Sequence, residues 1–224
     1  MTQLRLPRAP MFSMILIASG ILGCANTSAG GEAKTLGVSF EDSPALPTTF
    51  RPTETDGNGT PAQWKVESDP TSPFGAGVLV VHTANLEKTY NVCPVDGFTA
   101  QDLDVSVAVK ALSGTDDQGG GLVWRYQDAK NYYLTRWNPL EKNIRLYVVK
   151  DGVRSKFGDK EVDVAPGWHT ISVSMEGEAI LVMFNGERVI EASNDMIRDA
   201  GRVGLWTKAD ATSAFDGLHA RDRR

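Results

Sequence analysis

Between Leu103 and Ala220 apolar and polar residues alternate with a period of two, broken at intervals by turn dipeptides, which is the pattern of an antiparallel sheet. Leu103, Val105, Val107 and Val109 fall on one side of a strand, with Asp104, Ser106 and Lys110 on the other. Asp151-Gly152, Glu176-Gly177 and Asn185-Gly186 each stand between alternating apolar runs, where tight hairpins form. Extending this reading predicts strands at 38–42, 63–67, 77–83, 103–111, 120–127, 132–138, 143–150, 153–157, 168–175, 179–185, 187–192, 202–207 and 213–220, with one helical turn over 194–198. So many short strands in one domain imply an all-β two-sheet sandwich or a barrel.

The first residues follow a different rule. Arg5 and Arg8 are the only charges before Glu32, and Met11 to Gly23 is a short apolar run. A run of that length rises ~20 Å as a helix, too little for a ~30 Å hydrocarbon core, so it reads as a signal peptide over 1–23. It ends in Ile21-Leu22-Gly23-Cys24, which resembles the bacterial lipobox, and the resemblance implies that Cys24 is lipidated after cleavage. Residues 24–36 then form the lipidated cysteine and a polar tether, and 37–220 the folded domain. Ala25 carries no acidic retention signal, so the expected location is the cell envelope, with a lipid anchor in the outer membrane.

Removing 1–23 takes away two of the 23 basic residues and none of the 28 acids, leaving a net charge of −7. An acidic surface argues against a nucleic-acid partner. Lipidation would consume one of the two cysteines, so no disulfide remains and Cys93 is expected as a buried strand thiol. His82, His169 and His219 lack ligand spacing. Trp64, Trp124, Trp168 and Trp206 are read first as core.

Gly120-Gly121-Leu122-Val123-Trp124-Arg125-Tyr126-Gln127-Asp128 followed by Asn131-Tyr132-Tyr133 resembles laminin-G and concanavalin A-like jelly rolls, as does Gly167-Trp168-His169 leading to Asn185-Gly186. Gly204 to Asp210 with Phe215-Asp216 resembles the 3-keto-disaccharide hydrolase domains. The resemblance spans roughly residues 37–220. It implies a concanavalin A-like, two-sheet antiparallel jelly-roll sandwich that binds or hydrolyses a saccharide.

Catalysis has no clear signature. The fold's glycosidases carry Glu-x-Asp-x-Glu on one strand; Glu161-Val162-Asp163 lacks the third acid and runs into Pro166, so it reads as an exposed strand end. A binding face is better marked. Pairing Gln127 with Tyr132 and Asn138 with Asn143 puts Leu122, Trp124, Tyr126, Tyr133, Thr135, Trp137, Ile144, Leu146 and Val148 on one face. Arg125, Gln127, Tyr132, Arg136, Arg145 and Tyr147 then share the other. Arg125, Tyr132, Arg136, Arg145 and Tyr147 are therefore the candidate ligand-binding residues, joined through the resemblance by Lys208 and Asp210. The plainer alternative is a solvated outer face whose arginines pair with Asp128 or Glu141. On the binding reading, Arg136→Ala weakens ligand binding and leaves thermal stability almost unchanged.

No cofactor is required on this reading; a structural calcium held by Glu41, Asp42 and Asp216 is the one candidate ion. The functional expectation is a lipid-anchored, exported carbohydrate-binding module, with a glycoside hydrolase or an envelope protein-interaction scaffold as alternatives.

Overall fold

The computed structural model describes residues 33–57, 60–85 and 88–224. The expected signal peptide, Cys24 and most of the expected tether lie outside them. The described residues form one compact unit, Ala33–Arg224.

Every regular element in that unit is a strand: β1 Thr35–Gly37, β2 Thr53–Thr55, β3 Gln63–Ser68, β4 Gly77–His82, β5 Tyr90–Pro94, β6 Leu103–Ser113, β7 Gly120–Asp128, β8 Asn131–Asn138, β9 Asn143–Lys150, β10 Val153–Glu161, β11 Trp168–Glu176, β12 Ala179–Phe184, β13 Glu187–Ser193, β14 Arg202–Lys208 and β15 Thr212–Asp222. They build two antiparallel sheets. The first runs β13-β12-β11-β6-β15-β4-β3 with β1 also on β15; the second runs β10-β9-β8-β7-β14-β5-β2. This is an all-β, two-sheet jelly-roll sandwich.

The core lies between the sheets and comes from the inward positions of each alternating strand. Leu103, Val105, Val107 and Val109 of β6 and Ile171, Val173 and Met175 of β11 meet Leu122, Trp124, Tyr133, Trp137, Ile144, Leu146 and Val148 of the second sheet. Each such side chain stabilises the sandwich by about 1.5–3 kcal/mol relative to exposure. The Trp124 indole N–H donates to Met175 Sδ at 3.1 Å, so even its polar edge is satisfied across the layers.

Several elements differ from the sequence expectation. Residues 38–42 are not a strand, and β1 lies just before them. β5 provides the strand expected around Cys93, whose bounds the sequence does not mark because both its faces are covered: Cys93 points into the core and Val92 into the opposite cluster, which erases the alternation. β2 is three polar residues, below any periodic signal. Residues 194–198 form no helix; the stretch is an irregular connection whose Asn194 Oδ1 accepts from the Met196 N–H at 3.0 Å.

The most consequential difference is a bulge in β7. Trp124 pairs with Tyr133 and Asp128 with Asn131, so four steps on β7 oppose two on β8. Arg125 sits at φ 44° within it, a left-handed backbone rare for a residue with a Cβ. The bulge moves Tyr126 from the core side to the outer face, where it stacks on Tyr132 with ring centres 5.6 Å apart.

Candidate functional site

The outer face of the second sheet is concave. β2 and β8 are separated in the sheet by β5, β14 and β7, about 19 Å if the strands lay flat. Yet Thr55 Oγ1 of β2 lies 2.8 Å from the Tyr132 hydroxyl of β8 and donates to the Ala129 carbonyl at the β7–β8 hairpin tip. The bent hairpin therefore curls over the face and reaches the far edge.

That curl fills half of the face. Val92, Val123, Tyr126, Tyr132, Leu134, Tyr147, Val149 and Trp206 form a second apolar cluster, with Tyr90 packed against it. Tyr132 is fully buried, and burial pushes its phenol well above the ordinary range. Tyr147 is buried under the Arg154 guanidinium. The two expected tyrosines lie on the expected face, but as packing for it.

Arg125 is not on this face with them. Its bulge sends the side chain to one end of the sandwich, where Nε donates to Gln101 O at 2.7 Å, Nη1 to Ile197 O at 2.8 Å and Nη2 to Gly177 O at 2.7 Å, beside Asp102. Burial lowers its pKa, and the nearby Tyr133 and Asp102 oppose that shift. Arg125 ties three loop carbonyls together and does not share the face of Tyr132 and Tyr147, where the sequence reading places it.

Arg136 and Arg145 do meet, as direct cross-strand partners. Two like charges directly opposite are unfavourable unless a counterion lies between them. Glu141, in the β8–β9 turn, supplies it: Oε2 accepts from Arg136 Nη2 at 3.0 Å and from Arg145 Nη1. Arg136 Nη1 also donates to Asn143 Oδ1 at 2.5 Å, and Arg145 Nε to Asp159 Oδ2 at 3.0 Å, which Lys156 Nζ shares at 2.6 Å. Burial pushes the Glu141 carboxyl up, but the Arg136, Asn143 and Arg145 donors outweigh it and hold the group below its usual range. Both arginines thus share a local acid, one the sequence reading names, but Arg136 is buried rather than solvated.

Lys208 joins the same end of the face. Its ammonium is 3.1 Å from Asp117 Oδ2, and Asn138 Nδ2 donates to Asp117 Oδ1 at 2.6 Å. Burial raises the Asp117 carboxyl, against the pull of Lys208 and Arg136. Asn138 Oδ1 in turn accepts from the Glu141 backbone N–H at 3.0 Å, so Asn138 ties the Asp117 carboxylate to the β8–β9 turn that carries Glu141. Asp210 stands apart as a loop cap, accepting the backbone N–H groups of Thr115, Asp116 and Asp117. Asp117 has no periodic or motif signal in the sequence; only the fold brings it to Lys208.

The calcium candidates do not form a cage. Glu41 Oε1 accepts from the Gly77 N–H at 2.7 Å, Asp216 accepts from the Ser72 hydroxyl and the Gly217 N–H, and Asp42 is exposed. Among the described residues no group of three or more His, Cys, Asp or Glu side chains is placed to hold a metal.

No protein-family model matches the chain, and no curated protein matches it. Solved structures do. A carbohydrate-binding module, CBM66 from Bacillus subtilis, aligns with a TM-score of 0.62 at 16% identity over 80% of this chain and 100% of that one. A protein of unknown function from Shewanella oneidensis MR-1 aligns at 0.57 and 11% identity over 84% and 86% of the two chains. The carbohydrate recognition domain of Emp47p aligns at 0.52 and 13% identity over 84% and 94%. At these identities the likeness establishes the fold.

Proposed function

We propose that this domain is a saccharide-binding jelly-roll module, exported and held at the cell envelope by lipid on Cys24. The observation that carries the reading is the polar end of the concave face. There Arg136, Arg145, Asn138, Asn143, Lys208, Glu141 and Asp117 set forked donors and acceptors on adjacent strands, with Glu141 and Arg145 still part-exposed. Sugar hydroxyls need such alternating donors and acceptors in a pre-formed, concave surface. Two of the fold's solved neighbours are, by name, a carbohydrate-binding module and a carbohydrate recognition domain, which agrees with this reading.

Glycoside hydrolysis of the 3-keto-disaccharide hydrolase type is the second reading, and one observation favours it. Burial raises the Asp117 carboxyl while the Arg136, Asn143 and Arg145 donors lower that of Glu141, and the two carboxyl groups lie near enough for the Glu141 charge to act on Asp117. An acid and a base so poised are what glycosidic cleavage uses.

A glycan-array screen of residues 25–224, repeated with chelator, tests the proposal. Retention of a defined glycan set without release of reducing ends is the expected result. Released reducing ends would move the assignment to the hydrolase, and silence on every glycan would overturn it in favour of a protein partner.

A further inference from the structure

One guanidinium on the concave face stands out from its neighbours. The other four arginines of the second sheet each have a carboxylate: Asp102 for Arg125, Glu141 for Arg136 and Arg145, and Asp96 for Arg202. Arg154 of β10 has none. Its guanidinium carbon lies 4.5 Å from the Tyr147 ring centre, 4.7 Å from that of Tyr90 and 5.9 Å from that of Trp206. Among the described residues no acceptor engages its N–H groups. Aromatic rings stabilise the charge over the guanidinium plane but do not use the in-plane donors.

Two further donors on this face are idle. Arg136 Nε is buried and makes no hydrogen bond, although both its terminal nitrogens are used. The Trp206 indole N–H lies near the Tyr132 hydroxyl but forms no aligned bond. Trp206 and Arg136 stand in one row across the sheet, both paired to Gly121, which has no side chain between them. Acceptors are in short supply here. Arg136 and Arg145 share Glu141, Arg145 and Lys156 share Asp159, and Asp117 is taken by Lys208, while Glu161 at the end of β10 sits near Lys142.

We propose that Arg154 is the carboxylate-recognising residue of this face, so that the saccharide bound there is an acidic one, a glycan bearing uronate groups. The inference rests on the saccharide-binding reading and adds the chemical class. A planar carboxylate matches the guanidinium fork with two parallel hydrogen bonds, and the ring contacts fix the fork so that little rotamer freedom is lost on binding. A neutral glycan would leave the Arg154 charge unmatched.

The test is calorimetric titration of residues 25–224, whose described part forms a compact unit of its own, with oligogalacturonate, oligoglucuronate and their carboxyl-reduced counterparts of equal length. At least one acid form should bind at least tenfold more tightly than its reduced form, with an advantage that shrinks as salt rises. Arg154→Gln should remove that advantage and Arg154→Lys keep part of it. Because Arg154 makes ring contacts alone, both variants should retain the parent's near-ultraviolet circular dichroism; Arg154→Lys gives a second measure should Arg154→Gln lose it. Equal binding of acid and reduced forms, or an acid preference that survives Arg154→Gln in a folded protein, overturns the inference. Binding of neutral glycans alone overturns it and leaves the saccharide reading standing; failure of every glycan on the array overturns that reading as well.

Discussion

Arg136 has only 3% of its surface exposed, and its two terminal nitrogens hold Asn143 and Glu141. Truncation would strand both acceptors and leave Arg145 to face Glu141 alone. The expectation that Arg136→Ala spares stability is therefore revised: chemical denaturation should show a loss of about 1.5–3 kcal/mol, the range for a hydrogen bond to a charged group. Cys93 is a simpler case. It is fully buried, and burial pushes its thiol far above the ordinary range despite the Arg51 N–H nearby. A thiolate is the reactive form, so a bulky thiol reagent should label Cys93 only as fast as the protein unfolds. Labelling in seconds under native conditions would contradict this burial.

At the scale of elements, the β7 bulge decides what the concave face contains. Asn138 pairs with Asn143 as the sequence indicates, and the β7–β8 register was legible at its tip, where Asp128 pairs with Asn131, but beyond it Trp124 pairs with Tyr133, two residues off that register. The bulge between them was not, since nothing in Trp124-Arg125-Tyr126 marks a doubled step. A buried arginine and a ligand-facing one look alike in a string of letters. The difference comes from three carbonyls, of Gln101, Gly177 and Ile197, that only the folded chain brings together. Arg125→Met should cost about 3 kcal/mol or more in denaturation experiments, because it strands those acceptors in a buried place. It should leave the affinity for any concave-face ligand within about twofold at temperatures where the protein is folded. Arg136 and Arg145 were found from the sequence because they lie on regular strand positions, and Lys208 through the resemblance alone. Arg154 was missed although β10 was anticipated, because its importance lies in the rings beneath it and in the acid it lacks.

Across the whole molecule, charge and pH give an independent handle. Hydrogen bonds from Lys110 and Thr71 lower the Asp69 carboxyl to about 2. The stability it confers is complete above the unfolded value of 3.8 and is lost as pH falls through about 2. Asp69→Asn should lower stability at neutral pH by about 1–2 kcal/mol and flatten the decline between these values. Asp117 works in the opposite sense. Its folded carboxyl is raised by burial, so its contribution is greatest at low pH and declines as pH rises through the folded pKa. The central claim, that ligand is taken on the concave face, is tested most directly by indole N–H resonances in a titration with the strongest array glycan. Trp64, Trp124 and Trp137 lie in the inter-sheet core, Trp168 packs on the outside of the first sheet, and Trp206 lines the concave face under Arg154 and beside Tyr90. The account predicts that the Trp206 resonance moves with saturation while the other four stay. A shift at Trp168 with Trp206 unmoved would contradict it.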